Sequence, residues 1–187
     1  MPTQVSRDDY FRAALDVLAL DGAGALKIGV LCRSLGVTTG SFYHHFGSLS
    51  TFIELLLRHW EHEQTEIYAD LAAAAERADL AVAVLKEGAI GLPHRAEAAI
   101  RAWGHLDPRV AAAQARVDAK RRAAARQVLR RMIDDPDRVE RLALVAMTLL
   151  VGFQLGGDPD DVDAIVGLMD EYEFLVQHAA HGPDARR

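Results

Sequence analysis

From Leu35 to Phe46 the chain reads Leu-Gly-Val-Thr-Thr-Gly-Ser-Phe-Tyr-His-His-Phe, and most of the chemistry the sequence offers is concentrated there. Thr38, Thr39, Gly40 and Ser41 are small, three of them hydroxylated, so a helix beginning on them brings its backbone close to whatever it meets. The free N–H groups and the dipole of that helix start favour phosphate. Tyr43, His44 and His45 follow, and a phenol or an imidazole donates to phosphate oxygens without adding fixed charge. Phe42 and Phe46, four residues apart, share one helix face and point to a core. Elsewhere, Trp60, Trp103, Met147 and Phe153, with His105 beside them, are candidates for lining a pocket for a small-molecule effector, although ordinary core packing accounts for each of the apolar ones. His59, His62, Glu63 and Glu66 recur at metal-compatible spacings of three and four. A solvated helix surface explains them more simply, and no metal is expected. Cys32 reads as a small buried residue rather than a redox sensor. Lys120, Arg121 and Arg122, with Arg126, Arg130 and Arg131, read as a solvated helix face paired with acids. The sequence holds no Gly-rich phosphate loop, no Gly-x-Ser-x-Gly elbow and no cysteine pair of zinc spacing, so it asks for neither a catalytic set nor a cofactor.

The elements that position these residues read as helices throughout: an all-α chain of about nine to ten helices, without the alternating runs or tight turns of a sheet. Ser6 opens a first helix, with Asp9 three residues on as a capping box, and Phe11, Ala14, Leu15 and Leu18 form its apolar stripe. Gly22 and Gly24 end it. A short helix over Ile28 to Leu35, a turn at Gly36-Val37 and a second short helix, which Thr38 is expected to cap, make a helix-turn-helix. In such a unit the second helix enters the major groove with its N-terminal residues at the base edges. Ser48 or Ser50 then caps a long helix. Further helices are expected from Asp79 to about Gly91, Glu97 to Gly104, Asp107-Pro108 to Ile133, Asp137 to Gly156, and Asp160 to about His178. This divides the chain into a helix-turn-helix domain, 1–50, and a remainder, 51–187, for effector binding and dimerisation.

The chain has 187 residues and a net charge of −6, with a single cysteine, a size that supports a real core without disulfides. Residues 1–60 carry five basic and five acidic side chains, and the rest carry 16 and 22, so the N-terminal part is the less repulsive end for DNA without being a basic patch. The N-terminus does not read as a signal peptide, and no apolar run approaches the roughly 20 residues of a membrane span. The expectation is a cytoplasmic protein that does not engage a membrane.

The stretch VLCRSLGVTTGSFYHHFGSLSTFIELLL resembles the DNA-binding region of the tetracycline-repressor (TetR) family, over about residues 7–60, with Ser41-Phe42-Tyr43-His44-His45-Phe46 the most specific part. The resemblance implies a homodimer, two recognition helices on a double-stranded DNA operator, and a divergent C-terminal part that binds a small-molecule effector. It places Thr38, Thr39, Ser41, Tyr43 and His44 on DNA, with Tyr43 on phosphate. Leu49 stands where many members carry a phosphate-gripping lysine, and Lys27 is the residue that substitutes for it. The helices at 137–156 and 160–178 would pair with their copies in a four-helix bundle. The effector would sit between the long fourth helix and the helices of 79–133. A rival reading is a small-molecule binding protein whose helix-turn-helix no longer recognises a specific operator.

Overall fold

The computed structural model describes the chain from residue 5 to residue 181, and the side chains of all of these but 64–69, 71 and 181. Among the described residues there are helices and no strand: α1 (Arg7–Asp21), a 3-10 turn (Ala23–Ala25), α2 (Ile28–Ser34), α3 (Thr39–Phe46), α4 (Leu49–Ala74), α5 (Ala78–Ile90), α6 (His94–Gly104), α7 (Pro108–Leu129), α8 (Pro136–Gly156) and α9 (Val162–His181). Local chemistry sets most of the boundaries. The Ser6 hydroxyl accepts the Asp9 amide at 3.2 Å while the Asp9 carboxylate accepts the Ser6 amide at 2.8 Å, a closed capping box. Ser48, rather than Ser50, starts α4 by accepting the Thr51 amide at 3.0 Å. Helix α8 opens at Pro136, one residue earlier than the sequence suggests. Asp135 accepts the amides of Asp137 and Arg138 at 2.9 and 3.3 Å, and Pro136 follows in the first turn.

Other boundaries also depart from expectation: α6 opens at His94 rather than Glu97, and the start of α3 and the end of α7 differ too. Thr38 occupies the N-cap of α3 in extended backbone, but its side chain makes no capping bond. Helix α7 ends at Leu129, not Ile133, and residues 130–133 continue as turns. From that turn Arg131 reaches back to the end of α4 and donates to the carbonyls of Ala72 (3.3 Å), Ala75 (2.7 Å) and Glu76 (3.1 Å). Helix ends leave such carbonyls without partners, and a guanidinium satisfies several at once.

The chain forms two compact units, Met1–His62 with Pro93–Ala115, and Glu63–Leu92 with Arg116–Arg187. The first is built around aromatic rings from α1, α3 and α4. Tyr10 meets Phe42 and Phe46 edge to face at 5.7 and 5.2 Å, and Phe52 packs on Phe42 and Phe46 at 5.3 and 4.8 Å. Phe11 packs on Phe52 at 5.8 Å. All five rings are buried. Such pairs contribute about 0.5–1.5 kcal/mol each beyond area burial. Helix α6 lies along α1 in this unit.

The second unit buries Ala81 and Val82 of α5, Val128 and Leu129 of α7, Val139, Leu142 and Ala143 of α8, and Val176 of α9 in one cluster. Phe153, Ile165 and Met169 form a second. Contrary to the sequence expectation, one described helix, α8, is long and apolar enough to cross a membrane by length and composition. A core helix passes the same test, and α8 does so with Leu142, Met147, Leu150 and Phe153 buried within the unit.

Candidate nucleic-acid interface and ligand cavity

The α2–α3 reversal turns on Gly36, whose φ of 66° lies in the left-handed region that favours glycine. Val37 then donates its amide to the Cys32 carbonyl at 2.9 Å, and the Cys32 thiol lies 3.6 Å from the Thr38 carbonyl. Burial pushes that thiol up from its ordinary pKa. These contacts fix the amine end of α3 against α2. Phe42 and Phe46 anchor the other face in the aromatic core. Thr38, Thr39, Gly40, Tyr43 and His44 are left exposed, with Tyr43 53% accessible. The Ser41 amide donates to the Thr38 carbonyl at 3.1 Å, and because no side chain caps α3 the amides of Thr39 and Gly40 are left open to an external acceptor such as a phosphate oxygen.

The remaining residues of the sequence-derived set are placed differently. Ser41 is half-buried, and its hydroxyl accepts from Tyr10 at 3.1 Å. His45 is half-buried with its ring 5.7 Å from that of Tyr10. Lys27 is exposed at the N-cap of α2, one helix away from α3. Arg7, which no motif singles out, donates to the His45 carbonyl at 2.7 Å and lies over the Phe46 ring at 5.7 Å, tying the start of α1 to the end of α3. At the start of α4, Ser50 accepts from Arg109 at 2.9 Å. Arg109 also holds Asp107 at 2.8 Å, which keeps that carboxyl below the usual carboxylate range.

The candidates for an effector pocket fall in both units. Trp60 is fully buried in the first, its indole N–H donating to Glu97 at 3.1 Å, and Glu97 is itself buried. Trp103 is half-buried on α6, and His105 is exposed just beyond its end. His59, from the metal-spaced set, stacks on Phe11 at 4.7 Å, while the side chain of Glu66 lies outside the described residues.

Met147 lines a cavity in the second unit, of about 930 Å³ counting its open mouth. Val82, Leu85 and Ala89 of α5 and Ala125 and Val128 of α7 form one side, and Leu150 of α8 and Met169 of α9 another. The sequence expectation sets the effector between α4 and the helices of 79–133, whereas α5, α7, α8 and α9 supply this lining. At the polar edge of the lining the Lys86 ammonium of α5 pairs with Glu173 of α9 at 2.8 Å and with Asp170. The hydrogen bonds that Lys86 donates to Asp170 and Glu173 hold it well above the ordinary lysine range. Tyr172 donates its hydroxyl to the Leu142 carbonyl at 3.1 Å, and its burial pushes the phenol up. Arg121 completes the polar part of the lining. Phe153 lies with Gly152, Gly157 and Leu168 along a shallow surface groove of the same unit.

Residues 11–51, from the second turn of α1 to the first residues of α4, match the family model described as bacterial regulatory proteins, tetR family. The N-terminal segment belongs to the tetR family. Among curated proteins no relative matches. Solved structures of tetR-family type share the fold. A transcriptional regulator from Rhodococcus sp. Rha1 superposes with a TM-score of 0.73 at 18% identity, over 92% of this chain and 96% of that one. A TetR transcription regulator from Haloarcula marismortui gives 0.67 at 12% identity, over 90% and 96%. The ketosteroid transcriptional regulator KstR2 of Mycobacterium tuberculosis gives 0.57 at 20% identity, over 91% and 92%. The chain therefore has the fold of tetR-family transcriptional regulators, with the helix-turn-helix at its N-terminus. The tetR-family segment is where sequence motif and exposed surface coincide, whereas no local signal in the sequence marked Leu85, Ala125 or Leu150 as cavity-lining.

Proposed function

We propose that the chain is a cytoplasmic repressor that binds a palindromic operator as a homodimer and is released by a small molecule held in its C-terminal helices. The observation that carries the DNA-binding part is the presentation of α3. Its uncapped amine end, Tyr43 and His44 face solvent, while Phe42 and Phe46 hold it from behind. Thr38, Thr39 and Gly40 are small enough to let that backbone approach base edges, and Tyr43 meets phosphate. The effector part rests on the cavity beside Met147. Its lining is chiefly aliphatic, and Lys86 is already paired with Glu173, so a largely hydrophobic ligand suits it. A ligand that favours a spacing of the recognition helices unsuited to DNA weakens operator binding, and DNA weakens ligand binding by the same factor.

A gel shift against the DNA upstream of the chain's own coding region tests this. Specific retardation by the wild-type protein, abolished by Tyr43→Ala with the fold intact by circular dichroism, is the expected result. Failure to retard any upstream fragment favours the rival ligand-binding protein, a reading supported by Leu49 at the start of α4 and by the balanced charge of residues 1–60.

A further inference from the structure

The balanced charge of the first sixty residues conceals a segregation. From Gly22 to Ile53 the chain carries Lys27 and Arg33 and not one aspartate or glutamate. The acids of this region are Asp8, Asp9, Asp16 and Asp21 on α1, and Glu54 on α4, where Arg109 stands 3.8 Å from the carboxylate. The surface of α2 and α3 is thus acid-free and carries two fixed cations.

Arg33 is exposed, and its Nη1 stands 4.0 Å from the point a Cβ on Gly29 would occupy. Side chains on a helix lean toward its N-terminus, so a residue covers the position four before it. At Gly29 there is no side chain to compete, and the guanidinium lies back over the opening turn of α2, the helix whose N-cap is Lys27. Neither cation has an acidic partner among the described residues, whereas Arg12 on α1 is held by Asp9 at 2.6 Å. The residue beside Arg33, Cys32, contacts the carbonyl of Thr38. The helix carrying both cations is therefore fixed directly against the amine end of α3.

We propose that Arg33, folded back over Gly29, is a phosphate contact of the DNA-binding surface and acts together with Lys27. The inference rests on the DNA-binding reading above. An unpaired guanidinium offers a planar fork that meets two phosphate oxygens at once, and engaging a phosphate releases condensed counterions. Arg33 thereby supplies fixed charge on α2 while Leu49 supplies none at the start of α4.

The test is the salt dependence of binding to a fluorescent random-sequence duplex, measured by anisotropy across a potassium chloride series. In Arg33→Gln the slope of log K against log salt should shrink by about one relative to the wild type, with several-fold weaker binding near physiological salt. Arg33→Lys should keep the slope, because the charge stays, and Arg12→Gln should keep both slope and affinity. Melting curves establish that each variant is folded. A wild-type slope in Arg33→Gln overturns the assignment while leaving the DNA-binding reading standing. Absence of any duplex binding by the wild-type protein removes that reading, and this inference with it.

Discussion

Lys86 sits at the edge of a chiefly aliphatic cavity with a fifth of its side chain exposed, and two carboxylates of α9 keep it charged. Its pKa in the folded protein lies above the ordinary 10.5, with the hydrogen bonds it donates to Asp170 and Glu173 the cause, and that of Tyr172 lies above 10.0, with burial the cause. Both shifts are upward, so the native state retains protons that the unfolded chain gives up first. The stabilisation they bring is complete below the unfolded values and is lost as the pH climbs through the folded ones. Midpoints of urea unfolding should therefore be insensitive to these two groups around neutrality and should fall above about pH 10. Lys86→Met and Tyr172→Phe should each flatten that alkaline decline. An equally steep decline in Lys86→Met would mean that the pair to α9 does not govern it.

Helices α1, α4 and α8 begin where a side chain supplies an acceptor, whereas α2, α3, α5 and α6 open without one. Asp135 is the clearest case, since its carboxylate serves two amides of α8. Replacing it with alanine should cost about 0.5–2 kcal/mol, and with asparagine much less, as read from thermal unfolding. The same logic explains what could be read in advance. Ser6 with Asp9, Gly36, and the Asp107-Pro108 step before α7 are local signals, and the helices they bound begin close to where the sequence puts them. The end of α7 was not legible, because no breaker precedes Asp134. The contact that accompanies the early stop is Arg131 on carbonyls at and just past the end of α4, more than fifty residues away. Likewise Thr38 has the residue type of a cap and the backbone of one, yet makes no capping bond. The exposed part of the recognition helix was legible because apolar Phe42 and Phe46 mark its inner face. The cavity was not, since an apolar stripe reads the same whether another helix fills it or leaves a gap.

For the chain as a whole, α8 leaves apolar side chains exposed along one face. Leu144, Thr148, Val151 and Leu155 follow each other along α8 at spacings of three and four, and Leu144 and Leu155 are 52% and 58% exposed. On α9 Phe174 is 67% exposed. If these faces join two chains, Leu144→Glu combined with Leu155→Glu should sediment as a folded monomer. It should also lose operator affinity with α3 untouched, because a palindromic site needs two recognition helices about 34–36 Å apart. Dimeric sedimentation of the double variant would place the contact elsewhere. Cys32 gives such experiments an internal clock. It is the chain's single cysteine, packed under the first residue of the recognition segment and shielded from solvent. A maleimide or disulfide reagent can reach it only when α2 and α3 part, so the rate of native-state thiol labelling measures how often the DNA-reading unit opens. Bound operator should slow that reaction in proportion to its occupancy, giving a readout of engagement that needs no label on the DNA.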